Sequence, residues 1–523
     1  MRRILVLLCT FATVQAGVVS RDWNVGKLTL QLDDGTAELE WLGSVVFRFS
    51  RSWSNAVPHA AALAHESVAV KFEDAGPAMS MRTKYLGVDL DRGEVRLHIH
   101  AGDKPVTDLA TSRGAGGAEL RIALQPEERI FGLMGPSTTS LNLRGQRLER
   151  DHGYLFTSAG YGIFVRSPAS CVFDLNRGVV EATGANSIDF LFYYGPAAKE
   201  VLEQHTTFLP RSEVKAESLD VLEPARVPKN ATRLPEQPIG SWQGLAALVR
   251  TMLDWSLSGV AYPALDLSIF DRAPAAIRQR AADLSALFPI LYRRSGEGGI
   301  DVGTRRVWTP YLTTYLREAF DRGYPLIRPL PMQFSKDAAL DSQTAEFMLG
   351  DEVLLAPMVE PGNRRPVGLP RGNWTDLRTN IEYPGNQTVE VDAPPGRMPI
   401  FVRNGWIVPL AIADRMELHY FPSLGAEFFL WEPELLENSQ FHAAPAGDFV
   451  RVEIESLRGR TYEWILHHTP APHEVAEDSG AYTQVDRREQ LRPNTWWHDA
   501  ARNNLHLMLR AEARTDRIVN ISH

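Results

Sequence analysis

Cysteine is almost absent from this chain, with two among 523 residues, Cys9 and Cys171. Cys9 falls inside an apolar leader, so a processed chain keeps one thiol and has no internal disulfide. Basic excess is lacking too. A net charge of -9 and a pI near 5.9 leave no field that would hold a phosphate backbone, and a nucleic-acid partner is set aside. The apolar stretch from Ile4 is broken by Thr10 and Thr13 and falls short of the about 20 residues a membrane-crossing helix needs. With Arg2 and Arg3 before it and Val14 and Ala16 ahead of Gly17, residues 1–16 read as a secretory signal cleaved after Ala16. The expected product is secreted or periplasmic and has no membrane span. Export without disulfides points to a bacterial envelope.

Several chemistries are excluded by missing motifs. The chain has no G-x-S-x-G elbow, H-E-x-x-H, P-loop, G-x-G-x-x-G or C-x-x-C. Asp89-Leu90-Asp91-Arg92-Gly93 resembles a calcium loop but lacks the spaced acidic set and the distal Glu, so it reads as a turn after a strand. His98 and His100 share one strand face without a third ligand nearby, and a solvated face is the expectation. No cofactor or metal is expected.

What is present is a change of rhythm along the chain. From about Gly17 to Leu191, short alternating runs such as KLTLQLDD, VAVKF and EVRLHIH are separated by Gly, Pro and Asp, which predicts an antiparallel β-sandwich over 17–195. A brief helix at Lys199 to Gln204 is followed by a polar, proline-containing stretch, and 196–238 reads as helix and linker. Helical periodicity returns at Trp242, with Ser241 as N-cap, and the buried-strand run GVAYPALDLSIF follows. Ala275 to Leu287 is amphipathic and leads into Phe288 to Tyr292. Trp308 to Arg322 forms a further helix closed by Gly323 as C′ residue. Residues 239–332 therefore have a β/α rhythm. Short strands return afterwards, read as a proximal β-domain over 333–413 and a distal one over 414–523.

The phrases GYPLIRPLPMQF, FMLGDEVLLAPMVEPGNRRPVGLPRGNWTDL and PPGRMPIFVRNGWIVPL, from Gly323 to Leu410, carry a specific resemblance. In order and wording this ribbon resembles glycoside hydrolase family 31, the α-glucosidase and α-xylosidase family. RIFGLMGPSTTSLNLRG and GYLFTSAGYGIFVRS resemble the family's N-terminal domain, so the likeness runs from Phe131 to about Leu410 with a gap. It implies a multidomain α+β fold: an N-terminal β-sandwich, a partial (β/α) TIM-barrel remnant and two C-terminal β-sandwich domains. It also implies an α-glucoside or related glycan as partner. A full barrel takes about 250 residues, and Pro196 to Pro331 holds little more than half of that. The remnant would have to pack against the N-terminal domain or pair with another copy in a homo-oligomer.

Hydrolysis with retention needs two carboxyl groups about 5 to 5.5 Å apart, one as nucleophile and one as acid. The family's W-x-D-M-N-E-like nucleophile strand is missing. Trp374-Thr375-Asp376 is the one W-x-D, and it matches a structural turn of the proximal β-domain. The family's acid lies five residues before the Trp of S-W-E-x-L; here IGSWQGL puts Gln237 there, and an amide does not cycle a proton. Glu236, one position away, reads as a linker residue, with a displaced acid as the alternative. Asp266 matches a sugar-binding Asp at a barrel strand end, or caps the turn that follows. Ala264 and Ile269 replace glycines around it, and Tyr292 and Arg294 replace an Arg and a His in LFPILYRRSG. Arg294 either donates to sugar hydroxyls or pairs with Asp266. Asp266, Arg294 and Trp242 are the sugar-contacting set the resemblance implies. Asp151, in a shortened loop, reads as a turn residue, and Trp496-Trp497-His498 as core instead of a stacking platform. The resulting expectation is a family-31-like protein that has lost hydrolysis. Its alternatives are an active α-glycosidase using Asp266 and Glu236, and a gene that has lost an internal piece.

Overall fold

The computed structural model describes residues 17–54, 63, 67–135, 140–166, 170–209, 211, 213, 219–294 and 300–523. The expected signal segment, 1–16, lies outside them. The chain divides into two compact units, residues 1–133 with 143–208, and residues 134–142 with 209–523. No helix among the described residues is long and apolar enough to cross a membrane.

The first unit is two antiparallel sheets of eight and nine strands. Alternation builds them. In Lys27–Leu32 the side chains of Leu28, Leu30 and Leu32 are buried while Gln31 is exposed, and the same period recurs at Arg96–Ala101 with Leu97 and Ile99 inward. Phe47, Phe49, Phe190 and Phe192 come from paired strands and join the core between these inward faces. His98 bonds Asp108 at 2.9 Å, and His100 pairs with Arg82 and Asp89, so each histidine has a structural partner. Asp91 Oδ1 accepts from the backbone N–H of Gly93 and Glu94, the expected turn. Asp151 is exposed. The helix Ala198–Thr207 also belongs to this unit, which places its end beyond the 195 boundary expected from sequence.

In the second unit a four-stranded parallel sheet comes first, in the order Val221–Leu222, Ile290–Tyr292, Pro263–Asp266, Thr232–Arg233. Here the linker reading of 196–238 is corrected, because both of the two-residue strands come from it. They lack any period of their own and exist only because the neighbouring strands offer a paired edge. The helix Trp242–Leu257 is started by Ser241, whose Oγ accepts from Gly244 N at 3.1 Å. It buries Leu245, Leu248, Val249, Met252 and Leu253, one apolar stripe at 3.6-residue spacing. Ala275–Ser285 and Arg305–Arg322 are the other helices of this region. Gly323, at φ 74°, ends the latter in the left-handed conformation.

The family-like ribbon that follows is a hairpin core. Ile327–Pro329, Phe347–Leu349 and Val353–Leu355 are neighbours in a six-stranded sheet, and Trp374, fully buried, donates its indole N–H to the Pro370 carbonyl. Asp376 Oδ1 accepts from the N–H of Arg378 and Thr379, so W-T-D is a turn, as read. The last two sheets hold six strands each. Ile407–Ile412 pairs with Arg415–Tyr420 in one of them, so that sheet takes its first strand from Ile407–Ile412. Trp496 is buried there, Trp497 packs on His506, and His498 bonds the Thr469 carbonyl.

Candidate functional site

Parallel strands collect chemistry at their carboxyl ends, where the loops leave. Asp266 and Tyr292 are register partners at that end of adjacent strands, and Arg233 ends the strand on the other side of Asp266. Glu236 and Arg294 follow within three residues of these ends. The fold thus brings together Asp266, Glu236, Tyr292 and Arg294, which lie far apart in sequence.

Asp266 is 2% exposed. Its Oδ1 accepts from Ser268 N at 2.9 Å and Arg294 N at 3.2 Å, and its Oδ2 from Ser268 Oγ at 2.7 Å, with Arg294 Nε at 3.4 Å. A carboxylate has about four acceptor positions; three here receive hydrogen bonds, and the Arg294 guanidinium adds an ion pair. Both readings offered for Asp266 as a structural group hold at once: it caps the 3₁₀ turn Leu267–Phe270 and it pairs with Arg294.

The same guanidinium reaches Glu236 through Nη1, and the Tyr292 hydroxyl donates to Glu236 Oε1 at 2.7 Å. Glu236 is therefore a member of the cluster and not a free linker carboxylate. Arg233 lies over the Tyr292 ring at 5.1 Å. Burial first, then the hydrogen bond to Glu236, pushes the Tyr292 phenol well above its ordinary pKa, so it stays a neutral donor. Arg294, its side chain 47% exposed, is the most open member of the cluster. Ala264 and Ile269, which replace glycines in the resemblance, are both buried. Trp242 is half-buried at the first turn of its helix, and no hydrogen bond or ring contact described joins it to the cluster. Sequence reasoning passed over Arg233 and Ser268. The second had a signal, since a serine two residues after an aspartate is a turn-forming pair.

Among the described residues no group of three or more His, Cys, Asp or Glu is arranged to hold a metal. What the site can do is donate: guanidinium N–H groups backed by carboxylates suit hydroxyl-rich ligands.

Comparison with known proteins fits this architecture. Residues 323–408 match the model of the glycosyl hydrolase family 31 C-terminal domain. Among curated relatives, an isomaltosyltransferase of Sporosarcina globispora is 26% identical over 205 residues, 34% of this chain and 18% of that protein. An α-glucosidase of Saccharolobus solfataricus is 28% identical over 194 residues, 32% and 28% respectively. The match thus spans less than a third of the length of these relatives. Among solved structures, a family 31 dextranase of Flavobacterium johnsoniae complexed with glucose has a TM-score of 0.83 at 13% identity, covering 98% of this chain and 100% of that one. A cycloalternan-forming enzyme of Listeria monocytogenes complexed with a pentasaccharide substrate has a TM-score of 0.82 at 13% identity, covering 97% and 77%. The fold is sheet-rich and is consistent with the multidomain architecture of family 31 structures. The ribbon and these relatives together support a glycoside hydrolase family 31 member, with the family's C-terminal domain matched at residues 323–408.

Proposed function

We propose that this protein is an exported family member that binds α-glucosides or related glycans and does not hydrolyse them. The four-stranded parallel sheet is, on this reading, what is left of the catalytic barrel. The observation that carries the proposal is the engagement of both Asp266 oxygens, by three hydrogen bonds and the Arg294 ion pair. A nucleophile must present a lone pair to the anomeric carbon, and both oxygens of the buried Asp266 are directed at Ser268 and Arg294 instead. Glu236 is engaged by Arg294 and Tyr292, and Gln237 stands at the position of the family's acid. Asp266 then serves as a positioning residue, holding Arg294 so that its outer N–H groups meet sugar hydroxyls.

The test is incubation of the purified protein with aryl α-glucoside and aryl α-xyloside, with isomaltose and maltose titrated by calorimetry. No turnover is expected, together with disaccharide binding that Arg294→Met abolishes. Turnover that Asp266→Asn abolishes would overturn the reading in favour of an active glycosidase. Export is checked by the N-terminal residue of the mature protein, expected at Gly17.

A further inference from the structure

The strand Ala426–Glu432 alternates inward and outward, and its outward residues are Glu427, Phe429 and Trp431. Phe429 is 45% exposed, an unusual state for a phenylalanine in a paired strand. Its register partner on the neighbouring strand is Gln440, and that of Trp431 is Asn438. Glu455 faces Gln440 from the strand beyond. Neither amide side chain has a hydrogen-bond partner among the described residues. Two aromatic rings, two residues or about 7 Å apart along the strand, therefore lie beside a row of open amides and a carboxylate.

This face is concave as well as aromatic. One groove of about 510 Å³ is lined by Trp406, Phe429, Trp431 and Asn438, and a second of about 630 Å³ by Phe429, Asn438, Gln440 and Glu455. Phe429 and Asn438 belong to both, so the grooves meet at these two residues. One face of Trp431 is covered by the Arg317 guanidinium at 4.2 Å, which fixes the ring's orientation. The His442 ring stands edge-on to Phe429 at 6.4 Å.

We infer that this face is a second carbohydrate site, separate from the Asp266 cluster, and that its ligand is a neutral α-glucan segment. The rings offer apolar faces of the kind that cover sugar C–H surfaces. Asn438 and Gln440 each offer a donor and an acceptor to hydroxyls, and the carboxylates lining the grooves outnumber Arg317, Arg322 and Arg514, which disfavours anionic ligands. The choice of an α-glucan rests on the reading of the protein as a glycan binder; the location of the site does not.

The experiment is calorimetric titration of the full chain with maltoheptaose and, separately, isomaltotriose, for wild type, the Phe429→Ala/Gln440→Ala double variant, Phe429→Tyr and Arg294→Met. Unfolding midpoints are recorded in parallel. Wild type is expected to bind at least one glucan. The double variant should bind roughly tenfold more weakly at an unchanged midpoint, and Phe429→Tyr should bind like wild type. Arg294→Met should remove any association at the Asp266 cluster and leave the Phe429-dependent association in place. Binding lost in Arg294→Met but kept in the double variant overturns this site and leaves the Asp266 cluster as the glycan site. Weakening in Phe429→Tyr equal to that in the double variant overturns the stacking role. Absence of wild-type binding to both glucans overturns the assignment.

Discussion

Arg328 has no solvent exposure, and the family-like ribbon is organised around its charge. Nη1 meets Asp351 Oδ1 at 2.5 Å, Nη2 meets Glu318, and Nε donates to the Pro325 carbonyl at 2.9 Å. Burial alone would lower its pKa, but Glu318 and Asp351 outweigh that and hold it above its ordinary value, so it is a permanent cation. Arg328→Met keeps most of the volume and removes the charge. The cost comes chiefly from the two carboxylates left behind; breaking a fully buried pair costs about 3–5 kcal/mol, and because Glu318 and Asp351 keep 23% and 22% exposure the loss should lie toward the lower end. Set against the roughly 5–15 kcal/mol that holds a domain together, the second unit should unfold far more easily. Urea unfolding followed by tryptophan fluorescence reads the change. The loss should persist in 1 M salt, because buried pairs are screened little. Adding Asp351→Asn and Glu318→Gln to Arg328→Met should recover part of it, since no orphaned charge would remain. A loss below about 1 kcal/mol, or one that salt abolishes, would refute the view that this cluster is a buried clamp.

Two pH effects of opposite sign are expected beside it. Burial, with Asp351 adjacent, pushes Glu352 up to about 7, while the Tyr311 and Tyr315 hydroxyls at 2.6 Å pull it back in part. The folded state then keeps a proton that the unfolded chain releases, so stability falls as pH rises from about 4.5 to about 7, by on the order of 3 kcal/mol. Glu352→Gln should flatten that slope in pH-dependent urea titrations. For Glu463 burial acts upward, but His506, Arg488 and Arg415 prevail and hold it at about 2. Its contribution is complete above about 4.5 and is lost as pH falls toward 2, and Glu463→Gln should remove that acid-side dependence. Gly350 has φ 63°, and an added Cβ would sit 2.4 Å from the Tyr315 ring. Gly350→Ala should therefore cost more than about 1 kcal/mol, seen as a lower thermal midpoint; an unchanged midpoint would show that the two tyrosines can move.

Features whose cause is local were legible in the sequence. The alternation of Lys27–Leu32, the Ser241 cap, the Gly323 stop and the Asp376 turn each depend on a few neighbouring residues, and each was read correctly. The ribbon from Gly323 to Leu410 carried the family because buried groups such as Arg328 and Trp374 tolerate little substitution, and that kept the wording recognisable. The strands Val221–Leu222 and Thr232–Arg233 were not legible, since two residues have no period and pair only once the sheet exists. Nor was the occupation of Asp266. Sequence offered both sugar binding and an Arg294 pair, and only the parallel register of Pro263–Asp266 with Ile290–Tyr292 brought Arg294 to Asp266 and on to Glu236. The residue types at the site were thus set by the sequence. Their mutual engagement, which decides whether a carboxylate is free to react, was set by tertiary structure, because a lone pair is filled by whatever the fold brings within hydrogen-bond reach.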